Sequence, residues 1–372
     1  MLRFDAGLQN WVDSRLGHSG LKVERSLYNF ADMPSGFQPL SALDPDSLVE
    51  YLGREGHSAE EVRWKYFDSR FNRDRERGYA WVKDGKIGGF LGLVPFLVAA
   101  RDRVVDAAWT CDWSVQDPTA RGIGILLIRQ AQEKYEFLTQ LGGNEATQRI
   151  ISRLSSKTVN DAGIVYHLPL RVGAILRVVR RKMPKLPVDA LSFVNRIPLR
   201  WPRGSATLAP TIFEPGVSEV LRPLLEPEQH GDIYSRYDFE YVRWQVGDCP
   251  FLDSETCYLA DGSPPRAAAL VWREKASTDF WRFAVWYRGA TEKETEILLS
   301  RVIRRVYENN GFLLSFVVSR LDQGLIDVLH SKKFLAAPQR RPLHIITSKK
   351  TGEPVPELWP LSYLDTDYAY RF

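Results

Sequence analysis

Asp117-Pro118-Thr119-Ala120-Arg121-Gly122-Ile123-Gly124-Ile125-Leu126-Leu127-Ile128 (117–128) is the stretch on which the fold turns. The apolar spacing of Ile125, Leu126, Ile128 and Ala131 starts an amphipathic helix just behind two glycines. Gly122 and Gly124 remove the Cβ atoms that would keep a bulky anion away from the backbone. Free N–H groups at a helix start point at such an anion with a favourable dipole, and a guanidinium adds a cationic contact. The spacing therefore predicts a diphosphate seat on the amides of Arg121, Gly122, Ile123, Gly124 and Ile125. Read more plainly, the same glycines serve a tight strand-to-helix turn.

Upstream, strands are predicted at Gly78 to Lys83, Lys86 to Val94 and Val104 to Val115, the first two joined by an Asp84-Gly85 hairpin signal. Downstream come a strand at Tyr135 to Leu141 and a helix beginning near Asn144. A repeat extends this plan. Val62-Arg63-Trp64 with Asp68 recurs as Val242-Arg243-Trp244 with Asp248, an offset of 180 residues. After the second copy the order recurs too: strands at Thr256 to Ala260, Arg266 to Lys275 and Phe280 to Tyr287, a turn at Asp261-Gly262, a helix through Ile297, Leu298, Val302, Ile303 and Val306, a strand at Phe312 to Val318, and a helix from Asp322. Between the copies, Pro184, Pro187, Pro198, Pro202, Pro210 and Pro215 forbid long helices. The expected division is a first domain over 1–181, a proline-rich linker over 182–216 and a second domain over 217–372, with a helical extension before Ser26.

A chain of 372 residues exceeds one ordinary core, which agrees with two domains. Three scattered cysteines fit neither a disulfide framework nor a paired zinc site, so a reducing, cytoplasmic setting is expected. The longest apolar run, Ile87 to Ala100, is interrupted by Pro95 and is too short to span a bilayer. Asp5 and Asp13 break any apolar leader near the start. A net charge of +4 suits a phosphorylated cofactor but is too weak to argue for a nucleic-acid partner.

The order of three strands, phosphate turn, helix, strand and helix resembles the GNAT superfamily of acyl-CoA N-acyltransferases, most clearly from Val62 to about Leu154. The family motif Gln/Arg-x-x-Gly-x-Gly/Ala is matched by Thr119-Ala120-Arg121-Gly122-Ile123-Gly124, with Thr119 departing from Gln or Arg; Gly143-Asn144-Glu145 ends the next strand as the family's pattern expects. The resemblance implies an α/β protein of two tandem GNAT-like domains, each a mixed, mostly antiparallel sheet flanked by helices. It also implies acetyl-CoA as acyl donor, Asn144 on the pantetheine arm, and a backbone N–H near Trp113 to Val115 polarising the acyl carbonyl where the strand splays from its neighbour, with Ser114 and Val115 beside the cofactor. Asn144 equally suits a plain helix cap. The second copy reads Tyr287-Arg288-Gly289-Ala290-Thr291-Glu292-Lys293-Glu294 at the motif's place, and its two carboxylates would repel a diphosphate. It is read as a degenerate partner that packs on the first copy and walls its cleft.

For chemistry, strand alternation puts Thr110, Asp112 and Ser114 on one face and Trp109, Cys111, Trp113 and Val115 on the other. Asp112 is the best-placed carboxylate for a base, or else a structural group bonded to backbone or an Arg; Glu145 is a second candidate base and Tyr166 a candidate acid for the thiolate. Cys111 reads as a small buried hydrophobe, the six histidines show no metal-ligand spacing, and Trp64 and Trp244 read as core. Leu170 to Lys182 is a basic amphipathic segment suited to covering a domain junction. The function expected is transfer of an acetyl group to a primary amine of a small molecule or amino sugar. Tandem architecture and the ending Trp359-Pro360-Leu361…Asp365-Thr366-Asp367 resemble GNAT-like proteins of polysaccharide biosynthesis. A homodimer is compatible with this reading. Two rivals stand: a Fem-type transferase using aminoacyl-tRNA, which the Gly122-Ile123-Gly124 loop disfavours, and a non-catalytic CoA-binding or scaffold protein.

Overall fold

The computed structural model describes residues 36–68, 70–71, 75–100, 103–116, 122–176, 194–199, 211–225, 234–236, 238–260, 264–277, 279–287, 289–319, 322–337 and 341–348. The N-terminal extension, Arg121 with the start of its loop, the Asp261-Gly262 turn, most of the proline-rich linker, the basic end of the 170–182 segment and the Trp359 ending lie outside the described residues.

In the first copy the strands are β1 (Phe37–Pro39), β2 (Gly78–Lys83), β3 (Lys86–Ala100), β4 (Arg103–Val115), β5 (Phe137–Leu141) and β6 (Lys157–Pro169). Helices α1 (Pro45–Gly53) and α2 (Ala59–Val62) precede β2, with α2 running into a π-helical turn at Arg63–Phe67; α3 (Ile123–Gln132) and α4 (Glu145–Leu154) flank β5. The second copy has β7 (Thr211–Pro215), β8 (Tyr234–Arg236), α5 (Phe239–Val242) with a π-helical turn at Arg243–Gly247, β9 (Leu252–Leu259), β10 (Ala267–Glu274), β11 (Phe280–Tyr287), α6 (Glu292–Glu308), β12 (Leu313–Ser319), α7 (Gln323–Ser331), β13 (Leu335–Ala336) and β14 (Arg341–Thr347). The β2–β3 hairpin turns at Asp84 and Gly85, both at positive φ (51° and 74°), as a tight two-residue turn requires.

All strands join in one sheet, ordered β1-β2-β3-β4-β5-β14-β6-β12-β11-β10-β9-β7, with β8 on β3 and β13 on β6. The copies therefore exchange strands. β14, from the end of the second copy, lies antiparallel between β5 and β6, while β6 from the first copy lies antiparallel against β12. Alternation explains the layers: Ala268, Leu270 and Trp272 of β10 enter one core cluster with Val105, Ala107 and Trp109 of β4, whereas Ala267, Ala269 and Val271 pack beneath α6. The cluster shared by the two copies holds the repeat itself. Trp64 stacks on Trp244 at 5.0 Å, Phe71 stacks on Trp244 at 4.3 Å, and Phe251, at the same 180-residue offset from Phe71, meets Trp64 edge-on at 6.4 Å. Each copy's Phe thus covers the other's Trp, and the repeated motif is the axis about which the halves pack.

Candidate active site

The first copy's strand β4 is irregular where its chemistry should lie. β3 pairs with β4 at Gly89↔Val115 and Phe90↔Ser114, and then at Gly92↔Cys111, so Asp112 and Trp113 together oppose Leu91. Asp112 adopts φ 44°, the left-handed conformation that accommodates a bulge. The bulge corrects the alternation expected from sequence: Asp112 and Cys111 both reach the Tyr66 hydroxyl, whereas Trp113 turns to the α3 side with Ala108.

β4 and β5 run parallel for three pairs, Ala107↔Phe137, Ala108↔Leu138 and Trp109↔Thr139, beyond which the ladder between them stops. Thr110 then donates from Oγ1 to the Thr139 carbonyl and to Gln140 Oε1, both at 3.3 Å, giving the gap a polar floor. The second copy repeats the three pairs as Phe280↔Leu313, Trp281↔Leu314 and Arg282↔Ser315. There the next residues are Phe283 and Phe316, stacked at 4.4 Å and buried. Two aromatic rings fill in the second copy the gap that the first leaves polar.

The helix starts differ in the same sense. α3 begins at Gly122, left-handed at φ 83°, with no side-chain cap. Its first turn closes by Ile125 N–H to the Gly122 carbonyl at 3.1 Å, so the amides of Ile123 and Gly124 have no partner within the helix. A Cβ at Gly124 would lie 2.9 Å from the Trp113 indole, so this glycine also admits Trp113 against the helix. α6 begins with a complete capping box: Glu294 N–H donates to Thr291 Oγ1 at 3.2 Å and Thr291 N–H to Glu294 Oε2 at 2.6 Å. Its own carboxylate occupies the place an anion would need.

The Asp112 side chain is buried, 1% exposed, as is that of Lys65, whose Nζ lies 2.6 Å from Asp112 Oδ2. The Tyr66 hydroxyl donates to the same oxygen at 2.5 Å, and His57 Nε2 lies 3.6 Å from Oδ1. His57 Nδ1 is 3.0 Å from Glu61. Lys65 and Tyr66 come from the π-helical turn, whose Lys65 carbonyl accepts from the buried Arg77 guanidinium. Beside the bulge, where Gly92 pairs with Cys111, a Cβ on Gly92 would run into the Tyr66 hydroxyl. His57 and Glu61, with Glu55, Gly56 and Ser58, line a cleft of ≈ 380 Å³ whose far side is Phe251 and Glu274 of the second copy.

No family model matches the chain, and no curated protein matches it. Among solved structures, N-myristoyltransferase from Saccharomyces cerevisiae, solved with bound myristoyl-CoA, superposes with a TM-score of 0.50 at 12% identity, over 87% of this chain and 85% of that one. A probable N-acyltransferase from Enterococcus faecalis does so with a TM-score of 0.50 at 12% identity, over 81% and 69%. A GCN5-related N-acetyltransferase from Anabaena variabilis is matched with a TM-score of 0.45 at 12% identity, over 73% of this chain and 62% of that one, so the chain spans less than two thirds of that protein's length. The fold is the GNAT fold in tandem.

Within this tandem GNAT fold the sequence-based candidates separate. Gly122, Ile123, Gly124 and Ile125 stand together at the α3 start, while Arg121 lies outside the described residues. The Val115 and Ile123 side chains both lie over Gly89, at 3.4 and 3.3 Å from where a Cβ there would sit. Ser114 is held by Tyr51, whose hydroxyl lies 3.1 Å from both the Ser114 carbonyl and Oγ; burial pushes that phenol up to about 12. Asn144 caps α4, its Oδ1 accepting from Thr147 N–H at 2.8 Å. Glu145 is exposed and paired with Arg149, and Tyr166 is buried in the second copy's core with its hydroxyl 3.2 Å from His330, so neither joins the Asp112 cluster. Cys111 is buried in the shared core. Among the described residues no group of three or more His, Cys, Asp and Glu is placed to hold a metal, and no helix is long and apolar enough to cross a membrane. Sequence reasoning missed His57, Glu61, Lys65, Tyr66 and Gly92. The signal that could have found the middle pair was the repeat, since Lys65 and Tyr66 become Gln245 and Val246 between the retained Val-Arg-Trp and Asp.

Proposed function

We propose that the chain is an N-acyltransferase that moves an acyl group, acetyl in the first instance, from acyl-CoA to a primary amine of a small molecule or amino sugar, in polysaccharide biosynthesis. The observation that carries this reading is the contrast between the copies. Among the described residues only the first combines a bulged β4, a polar-floored gap beside β5 and a helix start whose first amides have no partner within the helix. In this reading the diphosphate rests on the Ile123 and Gly124 amides with Arg121 beside it, and the thioester lies along β4 where a backbone N–H polarises its carbonyl. Thr110, Thr139 and Gln140 are all buried at the floor of the gap, which favours a short acyl group over a long chain.

Asp112 is too buried to meet an acceptor directly, so the base proposed is His57, which lines the cleft. The amine nitrogen attacks the thioester carbonyl, the C–S bond breaks, and the proton lost from nitrogen passes to His57 and on to the departing thiolate. Direct attack needs both substrates bound together. Initial rates measured with acetyl-CoA and a panel of amines and amino sugars should give intersecting patterns, and CoA release should fall as the acyl chain lengthens. Absence of CoA release with every acceptor, together with no thermal stabilisation by any acyl-CoA, would contradict the proposal.

A further inference from the structure

One carboxylate receives two consecutive side chains. Lys65 and Tyr66 follow each other in a π-helical turn, a geometry that often marks functional sites, and both end on Asp112 Oδ2 at 2.6 and 2.5 Å. The second copy keeps the turn and its Trp but places Gln245 and Val246 there. Its β11 also pairs with β10 without a register shift, from Ala267↔Tyr287 to Arg273↔Trp281. The bulge, the Lys-Tyr pair and the hollow at Gly92 that admits the Tyr66 hydroxyl thus occur together, in the copy whose helix start has no side-chain cap and whose strand gap is floored by Thr110 and Gln140. A core needs none of these, because a buried ion pair is often no more stable than apolar residues of the same volume.

We propose that Lys65 and Tyr66 are positioning residues that hold the Asp112 carboxylate aimed at His57, so that proton transfer at the ring is coupled to their contacts with Asp112. The proposal rests on the acyltransferase reading only for the use made of that proton. Facing His57 are Glu61 from α2 at 3.0 Å and Asp112 from β4 at 3.6 Å, with Lys65 behind Asp112, and Glu55 and Glu274 in the same cleft. Lys65 Nζ and the Tyr66 hydroxyl both bond Oδ2, which leaves Oδ1 to face the His57 ring.

The test follows the His57 ring by NMR as pH is varied in the full chain, its signal assigned by loss in His57→Gln. Lys65→Met should shift the His57 midpoint by roughly one pH unit, upward where Asp112 stays ionised and downward where the uncompensated carboxylate takes up a proton. Lys65→Arg, which keeps the charge, should move it by less than half as much. Tyr66→Phe is close in shape and uncharged, so it reports if the lysine variant does not fold; losing one donor to Asp112 should also move the midpoint. An unchanged midpoint in folded Lys65→Met, or in Tyr66→Phe where that variant alone folds, would overturn the coupling. Rate profiles with acetyl-CoA and an amine separate this from the function. An acid limb that follows the midpoint across the variants supports both, whereas a fixed limb with a moving midpoint removes His57 from the reaction and leaves the coupling standing.

Discussion

Asp112 holds a left-handed backbone conformation, φ 44°, that costs about 1–3 kcal/mol and persists only when its surroundings over-determine it. Here Lys65, Tyr66 and the Gly92 hollow do so. Lys65→Met alone should cost about 3–5 kcal/mol in urea unfolding, because it leaves a buried carboxylate without its counter-charge. The double change Lys65→Met with Asp112→Leu should recover most of that stability without restoring the full rate of acyl transfer; unrecovered stability would mean that packing rather than charge balance dominates. Gly92→Ala should lower kcat by roughly 10²-fold by displacing Tyr66, with the KM for acyl-CoA little changed, and steady-state kinetics would check it. Of this cluster only Asp112 was legible in the sequence. Strand alternation named it, but the bulge that sets its direction depends on a glycine of the neighbouring strand, and its partners His57, Lys65 and Tyr66 lie far from it along the chain. Nothing local in their sequence marks them as neighbours of β4.

Elements were easier to read than contacts, and the exceptions have physical causes. Phe280–Tyr287 forms a strand over the expected range, and Asn144 and Asp322 cap the expected helices. Strand β3 runs through Pro95, where the sequence suggested a stop. Leu93 N–H bonds the Arg77 carbonyl on the outer side of β3, so the Pro95 nitrogen two residues on faces that side too. It falls between the β2 pairing, which ends at Gly78↔Gly92, and the β8 pairing, which begins at Leu97↔Arg236, where a missing N–H removes no ladder bond. The glycine pattern at 122–124 was legible because it serves backbone geometry, whereas the plug in the second copy was not, since Phe283 and Phe316 read as ordinary core until the register aligns them. Transplanting that plug is the test at this scale. Thr110→Phe with Gln140→Phe should abolish acyl-CoA binding in calorimetry while the far-UV spectrum persists; unaltered affinity would show that the cofactor does not use the gap. Gly124→Asp should also remove binding, but it displaces Trp113 as well, so the plug is the cleaner probe.

The sheet as a whole depends on the exchanged strands β6 and β14. A repeat read along the chain gives two copies in series; only pairing reveals that each lends a strand to the other. A chain ending before Arg341 would leave β5 without its β14 partner, and thermal unfolding of that truncation should begin well below the full chain's. Each exchanged strand carries a histidine, buried at His344 and half-buried at His167. Burial, with Arg282 nearby, holds His167 below the usual histidine range, and burial does the same for His344. The unfolded chain then binds these protons more tightly than the folded one, so stability is fully present above about pH 6.5 and is lost as pH falls through the lowered folded values. His167→Gln with His344→Gln should flatten the stability profile below pH 6.5, measured by urea midpoints. On the proposed function, one copy binds acyl-CoA and the other supports it. Calorimetric titration of the full chain with acetyl-CoA should then give one site per chain, lost in Thr110→Phe with Gln140→Phe; two sites per chain, or a single site that survives that change, would overturn this division of labour.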